Sequence, residues 1–584
     1  MRPAIFTFAA TGRHTAQRIV ALTGGTLHQN AKATLPRHFA AGTPIIGVCA
    51  AGILIRLLAP HLSDKRAEPP VIAVSPDGAH VVPLLGGHHG ANQLAREIAA
   101  GLGGVATLTT ASDSHFAFGL DEPPPGWVLA NPAPAKAAMA AVLSGERIAL
   151  TGTAPWLAEA GYPLDKEGTV SIVAGEASGE APETLHYHPK TLVAGVGCER
   201  GTEAREIIDL VNRVLALSNL SPSSLAAIGT VDLKADERCL HESAAHFGVP
   251  LRLFTVAELN AERDRLPNPS AVVDAEIGTP GVAEAVALKA GALIVAKQKS
   301  KRATCAIGRA PTPIDAATLG RSPGHLHIVG VGPGEAISRT ASAVAALDAC
   351  GDWVGYGLYL DLVADLSFGQ AEHRFPLGDE EARVRHALEL AATGKAVALV
   401  CSGDGQIYAM AALVFELLDA VGARELSGGA RRVTVTSHPG ISALQAASAR
   451  AGALLGHDFC AISLSDLLTP REDILRRLEG AARADFVTAL YNPRSQRRVE
   501  LIEAAKAIFL GHRPPETPVI VAANLGRANE AVRVVTLAAF DPHEVDMLTI
   551  VLFGASTSRA FTRGDGNTVA YTPRGYAKKA EAAE

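Results

Sequence analysis

The stretch His325–Glu335, "HLHIVGVGPGE", predicts a buried strand, a glycine-rich turn and the start of a helix. Glycines around a proline let the backbone turn sharply and approach a ligand, because no Cβ atom stands in the way. The dinucleotide-binding fingerprint would place its third glycine where this chain has Glu335. The stretch therefore predicts a ligand-binding turn other than a nicotinamide site.

Composition indicates a large α/β protein. The 584 residues predict three or four domains, and 48% hydrophobic with 5% aromatic residues favours α/β domains over β-sandwiches. The net charge of −6 provides no basic field for nucleic acid or an anionic membrane. The seven cysteines show no paired C-x-x-C spacing, which predicts reduced, buried thiols and a cytoplasmic location.

Neither apolar segment near the N-terminus predicts membrane insertion. Residues Ala4–Ala9 form a short apolar run that ends in a glycine turn, as a first β-strand does, and lack the longer core of a signal peptide. The run Ile45–Ile55 ends at Arg56 and is too short to span a bilayer. We expect no membrane partner.

Strand and helix patterns alternate along the chain, so the predicted fold class is multidomain α/β, with N-terminal α/β modules before a C-terminal α/β domain. In the third segment, for example, strand Leu192–Val196, helix Glu203–Leu217 and strand Ala226–Val231 follow one another. The predicted segments are 1–110, a small middle domain or insertion at 111–190, 191–310, a linker at 311–323, and 324–576.

Four further motifs follow the first glycine turn in order: "CSGDGQIYAM" (Cys401–Met410), "TSHPGISAL" (Thr436–Leu444), "LYNPRS" (Leu490–Ser495) and "ANLGRANE" (Ala523–Glu530). This set resembles the tetrapyrrole methylase family, and within it the precorrin-3B C(17)-methyltransferases, over about residues 324–576. The resemblance implies a two-lobed α/β domain with S-adenosylmethionine in the cleft, a precorrin substrate and a homodimer through this domain.

The resemblance also implies which residues bind the cofactor and the substrate. The cofactor residues would be Gly332, Pro333, Gly334, Gly403, Asp404, Gly405, Ile407, Tyr408, Leu490, Tyr491, Asn492, Asn524, Gly526 and Arg527. The substrate residues would be Ser437, Pro439, Gly440, Ser442, Arg494 and Arg497. Guanidinium groups suit the carboxylate arms of a precorrin, although a solvated helix start is an alternative for the two arginines. Asp404 could instead cap the next helix.

In the matching family, methylation at C17 accompanies contraction of the macrocycle. The resemblance leaves open whether the substrate is metal-free or cobalt-loaded, and it identifies no catalytic base. A methylase of the same fold that acts on another position of a related tetrapyrrole is an alternative, because regiochemistry depends on the shape of the cleft.

The first half of the chain contains "DGAHVVPLLGGHHGANQLA", "GVGCERGT" and "TVDLKADE". These segments resemble those of the cobalamin-biosynthesis proteins that open the ring A lactone of cobalt-precorrin-5A and release a two-carbon aldehyde. The likeness covers about residues 1–310, and it departs from the family at Gly87–Asn92, where one glycine of the turn is missing. The whole chain is thus expected to be a bifunctional enzyme of corrin-ring synthesis. A non-catalytic first half that binds unstable intermediates is the alternative.

Candidate catalytic residues in this half are Lys234, Asp236, Glu237 and His88. The first three follow a strand, where α/β folds place active residues, and could activate water or accept a proton. They could equally be a capped helix start. His88 and His89 are adjacent and lack further ligands at suitable spacing, so no metal site is predicted.

Basic residues cluster near the end of this half. Lys297 and Lys299 would bind carboxylates of the tetrapyrrole, with Lys301 and Arg302 close by in the sequence. Nucleic acid is a poorer fit, since the chain as a whole is acidic, and a solvated surface is the alternative.

Overall fold

The computed structural model describes residues 3–28, 31–64, 67–108, 116, 119–179, 181–367, 369–494 and 500–576. Arg497 and the charged tail 577–584 lie outside these residues, as does the side chain of His88. The chain forms two compact units. The first comprises Met1–Gly324, Glu389–Lys395 and Ser427–Thr434, and the second comprises His325–Leu388, Ala396–Leu426 and Val435–Glu584.

The first sheet of the first unit has the strand order β2-β1-β3-β4-β5-β6. Its strands are β1 (Ala4–Thr7), β2 (Thr26–His28), β3 (Ile45–Val48), β4 (Val71–Val74), β5 (His80–Leu85) and β6 (Val105–Ala106). Its helices are α1 (Arg13–Thr23), α2 (Ala31–Ala40), α3 (Ala51–Leu58) and α4 (Ala91–Leu102). Only the β4–β5 pair is antiparallel, so helical crossovers build most of this sheet.

A smaller sheet follows, with the strand order β7-β10-β9-β8. It consists of β7 (Trp127–Leu129), β8 (Ile148–Gly152), β9 (Val170–Ala174) and β10 (Leu185–Pro189), with helices α5 (Ala135–Leu143) and α6 (Pro155–Glu159). Trp156 and Tyr187 are buried in a core of its own, and their rings meet edge to face. The middle segment thus has its own hydrophobic core.

The third sheet of the first unit has the order β13-β12-β11-β15-β14. Its strands are β11 (Leu192–Cys198), β12 (Leu225–Val231), β13 (Leu251–Phe254), β14 (Ala292–Lys299) and β15 (Ala303–Arg309). Its helices are α7 (Ala204–Leu217), α8 (Arg238–His246), α9 (Val256–Asn260), α10 (Ala271–Ile277) and α11 (Val282–Ala290). β11, β12 and β13 are parallel, which places the chain segments that leave their carboxyl ends at one edge of the sheet.

In the second unit, the first lobe has a sheet of order β18-β17-β19-β16-β20. Its strands are β16 (His325–Gly330), β17 (Asp352–Tyr356), β18 (Ala371–Phe375), β19 (Ala396–Cys401) and β20 (Thr434–His438). Its helices are α12 (Ala341–Ala349), α13 (Gly357–Asp361), α14 (Glu380–Ala392) and α15 (Ala411–Leu418). The expected helix start at Glu335 is wrong: a short 3-10 turn, Ala336–Ser338, comes first, and Thr340 then caps α12.

The second lobe has a sheet of order β22-β23-β26-β24-β25 and a small sheet of order β21-β28-β27. The strands are β21 (Gly452–Ala453), β22 (Phe459–Ser463), β23 (Val487–Tyr491), β24 (Pro518–Ala523), β25 (Ala531–Thr536), β26 (Thr549–Phe553), β27 (Arg559–Thr562) and β28 (Thr568–Tyr571). The helices are α16 (Ala443–Ala451), α17 (Arg471–Arg483) and α18 (Glu500–Leu510). Sheets flanked by helices recur in every part, which confirms the predicted multidomain α/β class.

None of the helices in the described ranges combines the length and apolar character needed to traverse a bilayer.

Candidate functional site

The two glycine turns predicted to hold the cofactor lie against each other in the second unit. β16 and β19 are parallel neighbours, so the turns that leave their carboxyl ends are adjacent. The amide of Gly332 donates to the carbonyl of Gly403 at 3.1 Å, and the amide of Gly403 donates back at 2.8 Å. Both glycines have positive φ angles, +78° and +65°, which side chains rarely tolerate.

A third turn closes on the same point. A Cβ atom on Gly440 would lie 2.1 Å from the carbonyl oxygen of Gly403 and 2.6 Å from that of Gly330. Both obstacles are backbone atoms and cannot rotate away. The absence of a side chain at Gly440 therefore lets three loops from distant parts of the sequence meet.

Asp404 fastens two of these loops together. Its Oδ1 accepts the amide of Gln406 at 2.7 Å, and its Oδ2 accepts the amide of Gly440 at 3.1 Å. The next helix, α15, begins only at Ala411, so Asp404 does not cap it. The Gln406 side chain adds a bond to the hydroxyl of Ser437 at 3.0 Å. The carboxylate thus joins the predicted cofactor loop to the predicted substrate turn.

Two tyrosines form the apolar part of the site. The rings of Tyr408 and Tyr491 are 5.1 Å apart, and the Tyr408 hydroxyl donates to the carbonyl of Ala461 at 2.8 Å. The Tyr491 hydroxyl bonds to Ser442 and accepts the amide of Leu444 at 3.2 Å, at the start of α16. Burial raises the pKa of both tyrosines, so the hydroxyls stay protonated at neutral pH.

Other residues predicted to bind the cofactor at the second lobe differ in the burial and the backbone conformation that the structure gives them. Leu490 is fully buried in the core of the second lobe, so its side chain packs there. Asn492 and Asn524 both have positive φ angles, near +50°, at the ends of β23 and β24. The amide group of Asn492 donates to the hydroxyl of Ser463 at 3.0 Å. Ile407 packs against the core of the same lobe.

The predicted substrate residues separate into two places. Ser437, Pro439, Gly440 and Ser442 line the turn that Asp404 fastens, and the Pro439 carbonyl accepts the hydroxyl of Thr340 at 2.9 Å. Arg494 donates to the carbonyl of His543 at 2.6 Å. Part of its guanidinium is therefore engaged by the protein.

A row of histidines beside this turn is a feature that sequence reasoning missed. Nδ1 of His327 lies 3.0 Å from Nε2 of His438, whose Nδ1 lies 2.7 Å from the hydroxyl of Ser342. The rings of His325 and His327 stack at 3.9 Å. Burial, with the neighbouring His325 and His438, lowers the pKa of His327 to about 4. The alternation His-x-His in β16 was the available signal.

In the first unit, Lys234, Asp236 and Glu237 follow β12 as predicted and surround one arginine. The guanidinium of Arg200 lies 2.9 Å from Asp236 and 3.1 Å from Glu237. Glu237 is almost fully buried, and its Oε2 accepts the amide of Gly201 at 3.2 Å. The ammonium of Lys234 is 3.9 Å from Glu237. The structure thus assembles two carboxylates and two cations after two neighbouring parallel strands, Arg200 after β11 and the other three after β12.

Two thiols adjoin this cluster and were not distinguished in the sequence. Cys198 ends β11 and Cys239 lies in the first turn of α8. A hydrogen bond with Cys239, and then burial, raises the pKa of Cys198. The thiol of Cys198 is therefore protonated at neutral pH. All seven cysteines are free.

The remaining predicted residues of this half lie elsewhere. The glycine–histidine turn at Gly87–His89 precedes α4, and the flanking glycines, Gly86 and Gly90, have positive φ angles. The Lys297 ammonium donates to the carbonyl of Asn268. Arg302 donates to Glu199 and to two main-chain carbonyls. Lys297 and Arg302, two members of the predicted basic cluster, are thus hydrogen-bonded to other groups of the protein.

Three sequence families match the chain. They are described as Cobalamin synthesis G N-terminal, over residues 33–113, Cobalamin synthesis G C-terminus, over 192–308, and Tetrapyrrole (Corrin/Porphyrin) Methylases, over 325–541. These matches confirm both resemblances inferred from the sequence.

Individual proteins match the second half. The cobalamin biosynthesis protein CobIJ of Mycobacterium tuberculosis is 40% identical over 257 residues, 43% of this chain and 48% of that protein. The chain therefore spans about half the length of this relative. The precorrin-3B C(17)-methyltransferase of a Sinorhizobium species is 40% identical over 254 residues, 44% of this chain and 98% of the relative. A crystal structure of the methyltransferase CobJ is 38% identical, covers 43% of this chain and all of that one, and has a TM-score of 0.39.

Proposed function

Because this chain belongs to the tetrapyrrole methylase family, we propose that its second unit transfers a methyl group from S-adenosylmethionine to C17 of a precorrin-3B-type tetrapyrrole. The observation that carries the proposal is the meeting of the three turns at Gly330, Gly403 and Gly440. It brings main-chain groups, without side chains, together at one point of the domain. S-adenosylmethionine is the methyl donor of this family.

The residues of the site fit such a cofactor. Gly403–Gly405 would hold the amino-acid end through main-chain groups, and Asp404 supplies a negative charge that complements a sulfonium. The ring of Tyr408, half exposed beside Tyr491, offers a flat apolar face to a planar base. When bound, S-adenosylmethionine supplies an electrophilic methyl group on a sulfonium.

The protein contributes by placing the two reactants rather than by strong acid or base chemistry. Methyl transfer is an in-line displacement, so orientation of the nucleophilic carbon and exclusion of water lower the barrier. The turn Pro439–Gly440 would present the macrocycle edge to the cofactor loop, since the amide of Gly440 donates to Asp404 of that loop at 3.1 Å. Arg494 would contact a carboxylate arm through the donors that His543 leaves.

The test uses the full chain, S-adenosylmethionine and a precorrin-3B-type substrate in metal-free and cobalt-loaded forms, with mass spectrometry of the products. One added methyl group on a contracted ring supports the proposal and shows which form is used. An unmodified macrocycle, with cofactor binding intact, would reject the C17 assignment and leave methylation of another tetrapyrrole position as the alternative.

We further propose that the first unit opens a ring A lactone, an activity suggested by its match to the cobalamin synthesis G families. Opening adds water across the ester bond and yields a carboxylate and a hydroxyl group. Release of the aldehyde then breaks the bond between the hydroxyl-bearing carbon and the macrocycle: the hydroxyl loses its proton and becomes the aldehyde carbonyl, and the macrocycle keeps the electron pair and takes up a proton. The cluster at Arg200, Lys234, Asp236 and Glu237 supports this reaction. Asp236 is the more exposed carboxylate and would accept the proton of the water, while Glu237 would position the two cations that face the developing oxyanion.

The alternative for the first unit is a binding module that holds the intermediate unchanged. Incubation of the full chain with a cobalt-precorrin-5A-type lactone distinguishes the two. Ring opening with release of a two-carbon aldehyde, lost in the variant Asp236→Asn, supports hydrolysis. Binding of the lactone without turnover would support the module. The variant Arg205→Ala, at a highly exposed arginine of α7, is the control.

A further inference from the structure

Arg527 connects the two lobes of the second unit at the candidate site. It lies in the turn between β24 and β25, in the second lobe. Its Nε donates to the carbonyl of Pro333 at 3.2 Å, and its Nη2 donates to the hydroxyl of Ser402 at 3.0 Å. These acceptors belong to the turns after β16 and β19, in the first lobe. One guanidinium therefore holds both predicted cofactor turns.

The main chain beside Arg527 also lies close to the turn after β16. A Cβ atom on Gly334 would lie 2.7 Å from the carbonyl oxygen of Gly526, and one on Gly526 would lie 2.9 Å from the amide of Glu335. Both glycines have positive φ angles. The two turns thus approach each other through their main chains, at a distance that side chains would prevent.

An ion-pair network holds the turn that carries Arg527. Arg450, in the last turn of α16, contacts Glu335 at 2.5 Å and Glu530 at 2.9 Å. The other oxygen of Glu530 accepts the amide of Gly526 at 2.6 Å. The position of Arg527 is therefore set from both ends of its turn, by groups from the first lobe and from α16.

We propose that Arg527 is a positioning residue for methyl transfer, which fixes the spacing of the two glycine turns and thereby the affinity for the methyl donor. The proposal rests on the proposed methyltransferase function. In this role, the Nε and Nη2 donors of Arg527 bind two of the protein's own loops. A lysine has a single charged nitrogen and cannot place donors at two separate acceptors in this way.

The experiment measures binding of S-adenosylhomocysteine to the full chain by titration calorimetry. In Arg527→Ala the dissociation constant should rise by about tenfold or more, because the substitution removes two charge-assisted hydrogen bonds that hold the cofactor turns. Arg527→Lys should bind almost as poorly. Added ethylguanidinium should restore part of the affinity of Arg527→Ala, because it replaces the missing donors. With S-adenosylmethionine and substrate, the KM for the donor should rise more than kcat falls.

Arg559→Ala is the matched control, since Arg559 is an exposed arginine of the same lobe on β27. It should bind as the wild-type chain does and should not respond to ethylguanidinium. Wild-type affinity in both Arg527 variants would overturn the proposal, as would a weakened variant that ethylguanidinium does not rescue. A wild-type chain that binds no S-adenosylhomocysteine would instead reject the proposed function, so the two failures are distinguishable.

Discussion

Gly440 is the residue on which the geometry of the methylase site depends most directly. Its Cα approaches the main chains of Gly330 and Gly403 so closely that a methyl group would overlap both. We predict that Gly440→Ala destabilises the second unit by about 3 kcal/mol or abolishes cofactor binding, because neither backbone can move without separating the turns. Urea unfolding and titration with S-adenosylhomocysteine measure the two effects.

The control for this substitution is Gly480→Ala in the last turn of α17. Its position has no atom within 4 Å of an added Cβ and has a helical backbone. The variant should gain about 0.5–1 kcal/mol of stability, since alanine loses less conformational entropy in a helix. Equal effects of the two substitutions on stability and binding would contradict the role given to Gly440.

The histidine row gives a pH-dependent contribution to stability. The pKa of His327 is lowered to about 4 in the folded chain, whereas an unfolded histidine titrates near about 6.5. Between these values the unfolded chain binds the proton and the folded chain does not. The free energy of unfolding therefore falls as the pH falls from about 6.5 to 4.

We predict that His327→Asn unfolds with a smaller loss of stability between pH 7 and pH 5 than the wild-type chain does. Urea midpoints at the two pH values provide the measurement. His61→Asn, at an exposed histidine of the first unit, should retain the full wild-type loss. A His327→Asn variant whose pH dependence equals that of the wild-type chain would show that His327 does not contribute.

The sequence predicted which loops form the site, but it did not predict the hydrogen bonds that join them. Glycine spacing and family motifs predicted that the segments around Gly332, Gly403 and Gly440 act together. They did not show that Asp404 bonds to the amide of Gly440, because this pairing joins residues 36 positions apart. The contacts of Arg527 with Pro333 and Ser402 depend on still longer separations, which no local pattern encodes.

At the scale of the elements, the predicted linker is a packed segment. The buried guanidinium of Arg252, on β13, donates to the carbonyls of Ala317, Leu319 and Gly320 and to the hydroxyl of Ser322. Proline, glycine and polar composition predicted a linker here but not these contacts. Four of the bonds that hold it come from one arginine that precedes it by more than 60 residues, so composition alone could not reveal them.

We predict that Arg252→Met destabilises the first unit by about 3 kcal/mol and opens residues 315–322 to proteases. The substitution removes four hydrogen bonds, three of them to carbonyls, which are then left without their donors. Urea unfolding and limited proteolysis with mass mapping test both parts. The exposed Arg205→Met should change neither, and a protease pattern identical to wild type would contradict the packed linker.

Element boundaries were predicted well where periodicity governs them and less well at turns. Strand Leu192–Val196 and helix Glu203–Leu217 appear as Leu192–Cys198 and Ala204–Leu217, since both have strong hydrophobic patterns. The helix expected at Glu335 begins instead at Ala341. Its start is set by the hydroxyl of Thr340, which accepts the amide of Ala343 at 3.2 Å. This cap could have been found in the sequence.

For the whole molecule, the α/β alternation and the order of motifs predicted the class and the families. They did not predict that Glu389–Lys395 and Ser427–Thr434 belong with the first unit, because these segments lie inside the methylase-like half of the sequence. Compact units follow contacts in space, whereas sequence boundaries follow patterns along the chain.

The two proposed sites lie in different units, so we predict that they can be inactivated separately. Asp236→Asn should abolish lactone opening and leave methyl transfer within about twofold of wild type, and Gly440→Ala should do the reverse, because substitutions at independent sites behave additively. Product analysis with each substrate measures both activities in both variants. Loss of both activities in Asp236→Asn, in a chain that remains folded, would contradict separate sites.

The central claim, a C17 methyltransferase in the second unit, is tested most directly by the products of the full chain with S-adenosylmethionine and a precorrin-3B-type substrate. We predict a product with one added methyl group, placed at C17 by isotope-labelled NMR, and a contracted macrocycle. A methyl group at another position, or an unchanged macrocycle with a chain that still binds S-adenosylhomocysteine, would contradict the account.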